Sequence, residues 1–198
     1  MESTYAYLPT FFFIPDISGF TTFVNEVEIN HSTHIITELL EVIMSANLLD
    51  MYVAELEGDA VFFYRTGPAP TLTEVLEQSE KMYKRFHRHL KYYERDRICQ
   101  CGGCSTAHDL TLKFVGHYGH ATARKIGQFK KLFGSDVTLV HKLLKNNIPS
   151  SEYLLFTSSG DVAKNTLLPY WAQLEQERET YVGIGEVAFQ YIPLAPLK

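Results

Sequence analysis

Long apolar runs are missing from this sequence. Phe11–Phe12–Phe13–Ile14 is only a few residues long, has no basic flank before it, and stops at Pro15 and Asp16. A membrane-spanning helix needs roughly 20 apolar residues, and a signal peptide needs a charged start and a longer apolar core. Neither is expected, and no membrane partner with them. Basic clusters are missing too: the formal charge is −5, and Lys and Arg adjoin only in pairs. That excludes the footprint on which nonspecific nucleic-acid binding depends. Cysteine is scarce, with Cys99, Cys101 and Cys104 all inside one six-residue window. An odd, clustered set without a secretory signal points to thiols or a metal site in a reducing compartment, so the expected location is cytoplasmic. Gly-x-Ser-x-Gly, Walker-type and dinucleotide-binding motifs are absent, as are internal repeats, and no nucleophile arrangement stands out.

What is present is an ordinary globular composition over 198 residues, enough to bury one core. The expected organisation is a single domain over residues 1–198 with a Cys-rich insert at about 97–108. Residues 9–16 predict a buried strand, followed by a Gly-containing turn at Ser18–Gly19–Phe20–Thr21–Thr22. Ile35, Ile36, Leu39, Leu40, Ile43 and Ala46 keep helical spacing. Leu48–Leu56 and Ala60–Tyr64 predict a hairpin around Glu57–Gly58–Asp59. A long helix capped by Thr71 or Thr73 turns Leu72, Val75, Leu76, Met82, Tyr83, Phe86 and Leu90 inward. Beyond the cysteines, residues 110–114 predict a strand, Gly116 and Gly119 a turn, and Ala121–Ile126 the returning partner. A helix at about 136–144, a strand at Tyr153–Phe156, a helix over 159–167 and a strand region over Tyr181–Ile192 complete the order. His31, His34, His87 and His89 read as surface residues.

The run Phe13–Ile14–Pro15–Asp16–Ile17–Ser18–Gly19–Phe20–Thr21 resembles the first motif of class III adenylate and guanylate cyclase catalytic domains. Three further matches follow in order: Glu55–Leu56–Glu57–Gly58–Asp59–Ala60–Val61, then Leu112 to Gly119, then Leu132 to Lys142. Ile184–Gly185–Glu186–Val187 with Pro193–Leu194 is similar to the family's last strand. Within that superfamily the likeness is greatest to an uncharacterised bacterial branch known only as a domain of unknown function. The resemblance implies a ferredoxin-like α/β (α+β) sandwich with a mostly antiparallel sheet. It implies Asp16 and Asp59 as ligands for Mg²⁺ or Mn²⁺, cations that prefer oxygen donors. It also implies a substrate-binding turn at Ile17, Gly19, Phe20 and Thr21, with a nucleoside triphosphate as partner. The implied assembly is a head-to-tail homodimer, one subunit giving the metals and the other the transition-state pair.

The match departs from the family at the base-reading and transition-state positions. Glu55 looks like the guanine-reading Glu, a carboxylate that can accept from guanine's amino and imino hydrogens, but its partner position is Lys131. As a residue without the family, Glu55 reads equally as an exposed strand position paired with a surface Lys. The family's transition-state Asn and Arg align with Thr138 and Lys142. Lys keeps the charge but loses the planar fork that grips phosphate. Two readings follow: a nucleotide- and metal-binding signalling domain with weak or atypical cyclase activity, or a catalytically inactive binding or scaffold module that kept the fold and senses a nucleotide or small ligand. Outside the family pattern, Cys99, Cys101, Cys104 and His108 form C-x-C-x₂-C-x₃-H, a spacing suited to structural Zn²⁺, with His117 and His120 as alternative fourth ligands.

Overall fold

The apolar run at 11–14 lies at the middle of the molecule because both of its faces are covered. In the computed structural model, which describes residues 6–95, 106–157 and 168–198, it belongs to β1, Leu8–Ser18. Phe11, Phe13 and Ile17 enter one hydrophobic core, while Phe12 and Ile14 enter another on the opposite face. Strand alternation thus splits a continuous apolar run between two layers, as expected for a central strand.

The sheet is ordered β2-β3-β1-β4-β6-β8-β7, with β5 paired to β4. Its strands are β2 (Tyr52–Glu57), β3 (Ala60–Thr66), β4 (Thr111–Ile126), β5 (Phe129–Phe133), β6 (Tyr153–Thr157), β7 (Glu175–Tyr181) and β8 (Gly185–Pro193). Among the described residues every pairing is antiparallel except β4 with β6. The mixed α/β, mostly antiparallel architecture is therefore as the resemblance implied.

Helices α1 (Phe20–Glu26), α2 (Ile29–Ser45) and α3 (Leu72–Arg95) contribute to the first core. All seven predicted inward positions of α3 are buried. Its start is a capping box: Glu74 N–H donates to Thr71 Oγ1 at 3.2 Å and Thr71 N–H donates back to Glu74 at 2.7 Å. The second face carries α4 (Ser135–Leu143), which buries Val140 and Leu143 with Phe12, Phe62 and Val115.

Two sequence expectations fail here for physical reasons. Gly116 and Gly119 do not turn the chain. β4 runs straight through both, and the hairpin to β5 turns after Ile126. Gly119 is small because α4 presses on it: an added Cβ would lie 2.4 Å from the Asp136 carboxyl. The terminal region is not one strand but a hairpin, since the charged stretch Glu175–Tyr181 forms β7 at the sheet edge. A solvent-facing edge strand tolerates charge, and alternating charge hides it from an apolar-pattern reading. The helix expected over 159–167 lies outside the described residues. Among the described residues, no helix is long and apolar enough to cross a membrane.

Candidate functional site

Register places one row of residues across four strands. Glu57 on β2 pairs with Ala60 on β3, Ala60 with Asp16 on β1, and Asp16 with Lys113 on β4. Directly opposed residues share a sheet face, and Ala60 belongs to the core on the α4 side. This row therefore lies on the face that α4 covers. Asp59, in the turn between β2 and β3, joins it through its backbone: Ile17 N–H donates to Asp59 O at 3.0 Å. The strand end carrying Asp16 and the turn carrying Asp59 are thus adjacent, and the charge of Asp16 is felt at Asp59.

Their electrostatics reflect that closeness. Burial pushes the Asp16 carboxyl above the usual range, and the Lys113 ammonium works against it. Burial also raises the Asp59 carboxyl, and the charge of Asp16 raises it further. A carboxylate disfavoured in its ionised form by burial and by a neighbouring carboxylate is one that gains from a cation. The donors are hard oxygens, which fit Mg²⁺ or Mn²⁺. Among the described residues no group of three or more His, Cys, Asp or Glu side chains is arranged to hold a metal ion. A metal shell built on Asp16 and Asp59 would need backbone, water or ligand oxygens to complete it.

Beside them, β1 leads into α1 through Ile17, Ser18 and Gly19, which caps the helix with φ at 89°. A side chain is strained at that angle, so glycine permits the sharp change of direction at the strand end. No side chain caps α1, and its start is held by Phe23 N–H donating to Gly19 O at 3.0 Å. Phe20 and Thr21 form the first turn of the helix.

On the same face a cleft of about 310 Å³ opens between β2, β5 and α4. Its walls include Glu55, Glu57, Lys131, Thr138 and His141. Glu55 and Lys131, at the family's two base-reading positions, are together here: Lys131 Nζ lies 3.4 Å from Glu55 Oε1, with both side chains more than a third exposed. A surface ion pair has that same geometry. Glu55 follows a β-bulge between Val53 and Glu55, which re-aims it relative to the strand before it. Thr138 lines the cleft, whereas Lys142, further along α4, is not among the residues that wall it.

Sequence reasoning missed three groups. Lys113 Nζ meets Asp16 Oδ2 at 3.2 Å. The residue stood inside a quoted motif, but its contact depends on the β1–β4 register, which a single sequence does not display. His141 and Glu57 form a pair at 3.3 Å, with the imidazole edge-on to Phe62 at 4.7 Å. His141 lies three residues after Thr138, and that helical spacing alone could have flagged it.

Other expectations resolve differently. Cys99, Cys101 and Cys104 lie outside the described residues. His108 is half exposed and 3.3 Å from Asp109. His117 is buried, with Nδ1 against Thr157 Oγ1 and Nε2 3.4 Å from Asp136; burial pushes its imidazole pKa down, against the pull of Asp136. His120 stacks on Tyr7 at 5.2 Å. His87 is not a solvated surface residue, since its Nε2 lies 3.1 Å from the buried carboxylate of Glu152.

Comparison with known proteins matches this architecture. Solved structures with the same fold include the adenylyl cyclase CyaB from P. aeruginosa, with a TM-score of 0.71 at 15% identity over 94% of each chain. The guanylyl cyclase Cya2 superposes with a TM-score of 0.67 at 13% identity, over 95% of this chain and 93% of that one. The guanylate cyclase domain of RhGC from Catenaria anguillulae, solved in complex with GTP, gives 0.62 at 16% identity over 94% and 96%. In sequence the chain is 36% identical to the uncharacterized protein Rv2561/Rv2562 of Mycobacterium tuberculosis across 159 residues, 80% of this chain and 73% of that protein. A family model described as a protein of unknown function, DUF2652, matches residues 36–153. The chain belongs to the DUF2652 family, and its fold is that of adenylyl and guanylyl cyclase catalytic domains.

Proposed function

We propose that this domain binds a nucleoside triphosphate together with Mg²⁺ or Mn²⁺, as a cytoplasmic homodimer of the cyclase type. The observation that carries the proposal is the adjacency of Asp16 and Asp59 on the sheet face that also bears the Glu55–Lys131–Thr138 cleft. Asp16 and Asp59 would hold the ion. When bound, it would neutralise phosphate charge and acidify a ribose hydroxyl. The turn from Ile17 to Thr21 borders the phosphates in this reading. Glu55 and Lys131 face the base, and Thr138 and Lys142 stand where the family places its transition-state pair. Exposed apolar side chains on β2 and the β4–β5 hairpin, among them Tyr52, Leu56, Ile126 and Phe129, supply a surface for a second subunit.

The reaction in question joins the ribose 3′-oxygen to the α-phosphorus, expels pyrophosphate and releases the hydroxyl proton. Loss of one preorganised stabiliser costs about 10²–10³ in rate, and this chain replaces two. Turnover is therefore expected to be slow. The second reading, a binding module without catalysis, is favoured by Thr138 and Lys142 themselves.

Incubation with ATP, GTP, CTP and UTP in Mn²⁺ or Mg²⁺, followed by mass spectrometry, separates the two. A cyclic product that disappears in both Asp16→Ala and Asp59→Ala supports the cyclase. No cyclic product from folded, dimeric protein leaves the binding module.

A further inference from the structure

The carboxylate pair already has a cation beside it. Lys113 Nζ lies 3.2 Å from Asp16 Oδ2, with only 20% and 13% of the two side chains exposed. The contact is fixed by the fold. Lys113 stands opposite Asp16 on the strand next to β1, and its neighbours Leu112 and Phe114 are fully buried in the core of the other face. Alternation then keeps Lys113 on the face of Asp16. Its charge reaches both acids, pulling against the burial that raises Asp16 and against the burial and repulsion that raise Asp59.

We propose that Lys113 is a resident cation of this site, occupying one oxygen of Asp16 and half the charge of the carboxylate pair, so that without nucleotide the pair takes one divalent ion and holds it weakly. The inference rests on Asp16 and Asp59 being metal ligands. Ionised, the two acids carry two negative charges, and the ammonium leaves a net charge of one. A first divalent ion more than neutralises that remainder. Without nucleotide, a second meets net positive charge at close range in a partly buried setting, where such repulsion is strong. The ion also competes with Nζ for Asp16 Oδ2, so binding requires the ammonium to yield or share that oxygen.

Mn²⁺ titration followed by electron paramagnetic resonance counts bound ions directly, without reference to turnover. The variants are Lys113→Gln, whose amide can still donate to Asp16, and Lys113→Met, which cannot, with circular dichroism confirming the fold of each. The expected result is one Mn²⁺ per wild-type chain and binding about tenfold tighter or more in both variants. In each background the ion should be lost on adding Asp59→Asn. Two ions per wild-type chain, or wild-type affinity in both Lys113 variants, overturns the role of Lys113 and leaves the metal assignment standing. No Mn²⁺ on the folded wild type or on either variant overturns both together.

Discussion

Glu152 is an acid that the fold needs ionised. It precedes β6 with 6% of its surface exposed, and three side chains close on its carboxylate. Tyr83 Oη–H donates to it at 3.0 Å, His87 Nε2 lies at 3.1 Å and Lys198 Nζ at 2.9 Å. Burial by itself would raise this carboxyl. The close approach of His87 and Lys198, the hydrogen bond from Tyr83 and the charge of Lys198 outweigh it, holding the group down at about 2 against an ordinary 4.5. A carboxyl depressed in the folded state contributes stability above its unfolded pKa and loses it as pH falls through the folded one. The window therefore runs from about 4.5 down to about 2. That interval corresponds to roughly 3 kcal/mol, and solvent screening of the half-exposed Lys198 reduces it to about 2 kcal/mol. The perturbation is Glu152→Gln, read by urea unfolding at a series of pH values from about 6 to about 2.5. At the upper end the variant should be the less stable protein. The gap should narrow by most of that 2 kcal/mol as the pH falls, because only the wild type loses the charge. Parallel stability curves would refute the reasoning.

Gly119→Ala places a Cβ against the Asp136 carboxyl, which also accepts from His120 N–H at 2.6 Å. It should cost about 1–3 kcal/mol in chemical denaturation by forcing α4 from β4. Thr71→Ala removes the capping box of α3 and should cost about 1 kcal/mol in the same assay. If Glu55 faces a guanine, Glu55→Gln should weaken GTP about tenfold while leaving ATP unchanged, as measured by competition binding. Equal affinities for both nucleotides before and after would make Glu55–Lys131 a surface ion pair only.

Much of this fold was legible because it follows local chemistry. The α3 stripe from Leu72 to Leu90 is buried as its spacing requires, and Thr71 caps where a threonine three residues before a glutamate should. The turn at Gly58–Asp59 joins β2 to β3 as expected. What failed depends on packing across the sequence. Gly116 and Gly119 looked like turn residues because glycine serves turns and close approaches alike, and only the position of α4 distinguishes the two. β7 carries charges at an edge, where no apolar alternation is needed. His87 shares a helix with Arg88 and Lys91, so it looked solvated, yet it is within reach of Glu152, which is 65 residues away in sequence.

The site divides in the same way. Asp16, Asp59, Glu55, Lys131 and Thr138 were all named from motifs, and the fold brings Asp16 to Asp59 and Glu55 to Lys131 and Thr138. Lys113 and the His141–Glu57 pair were invisible as partners because strand register and helix placement create them.

Equilibrium binding tests the central claim most directly. Fluorescent ATP and GTP analogues would be titrated into the wild type, Asp16→Ala and Asp59→Ala, each with Mg²⁺, with Mn²⁺ and with chelator. The account predicts saturable, metal-dependent binding by the wild type and a loss of that metal dependence in both variants. Absence of binding by the folded wild type, or binding that neither substitution nor chelator alters, would contradict it.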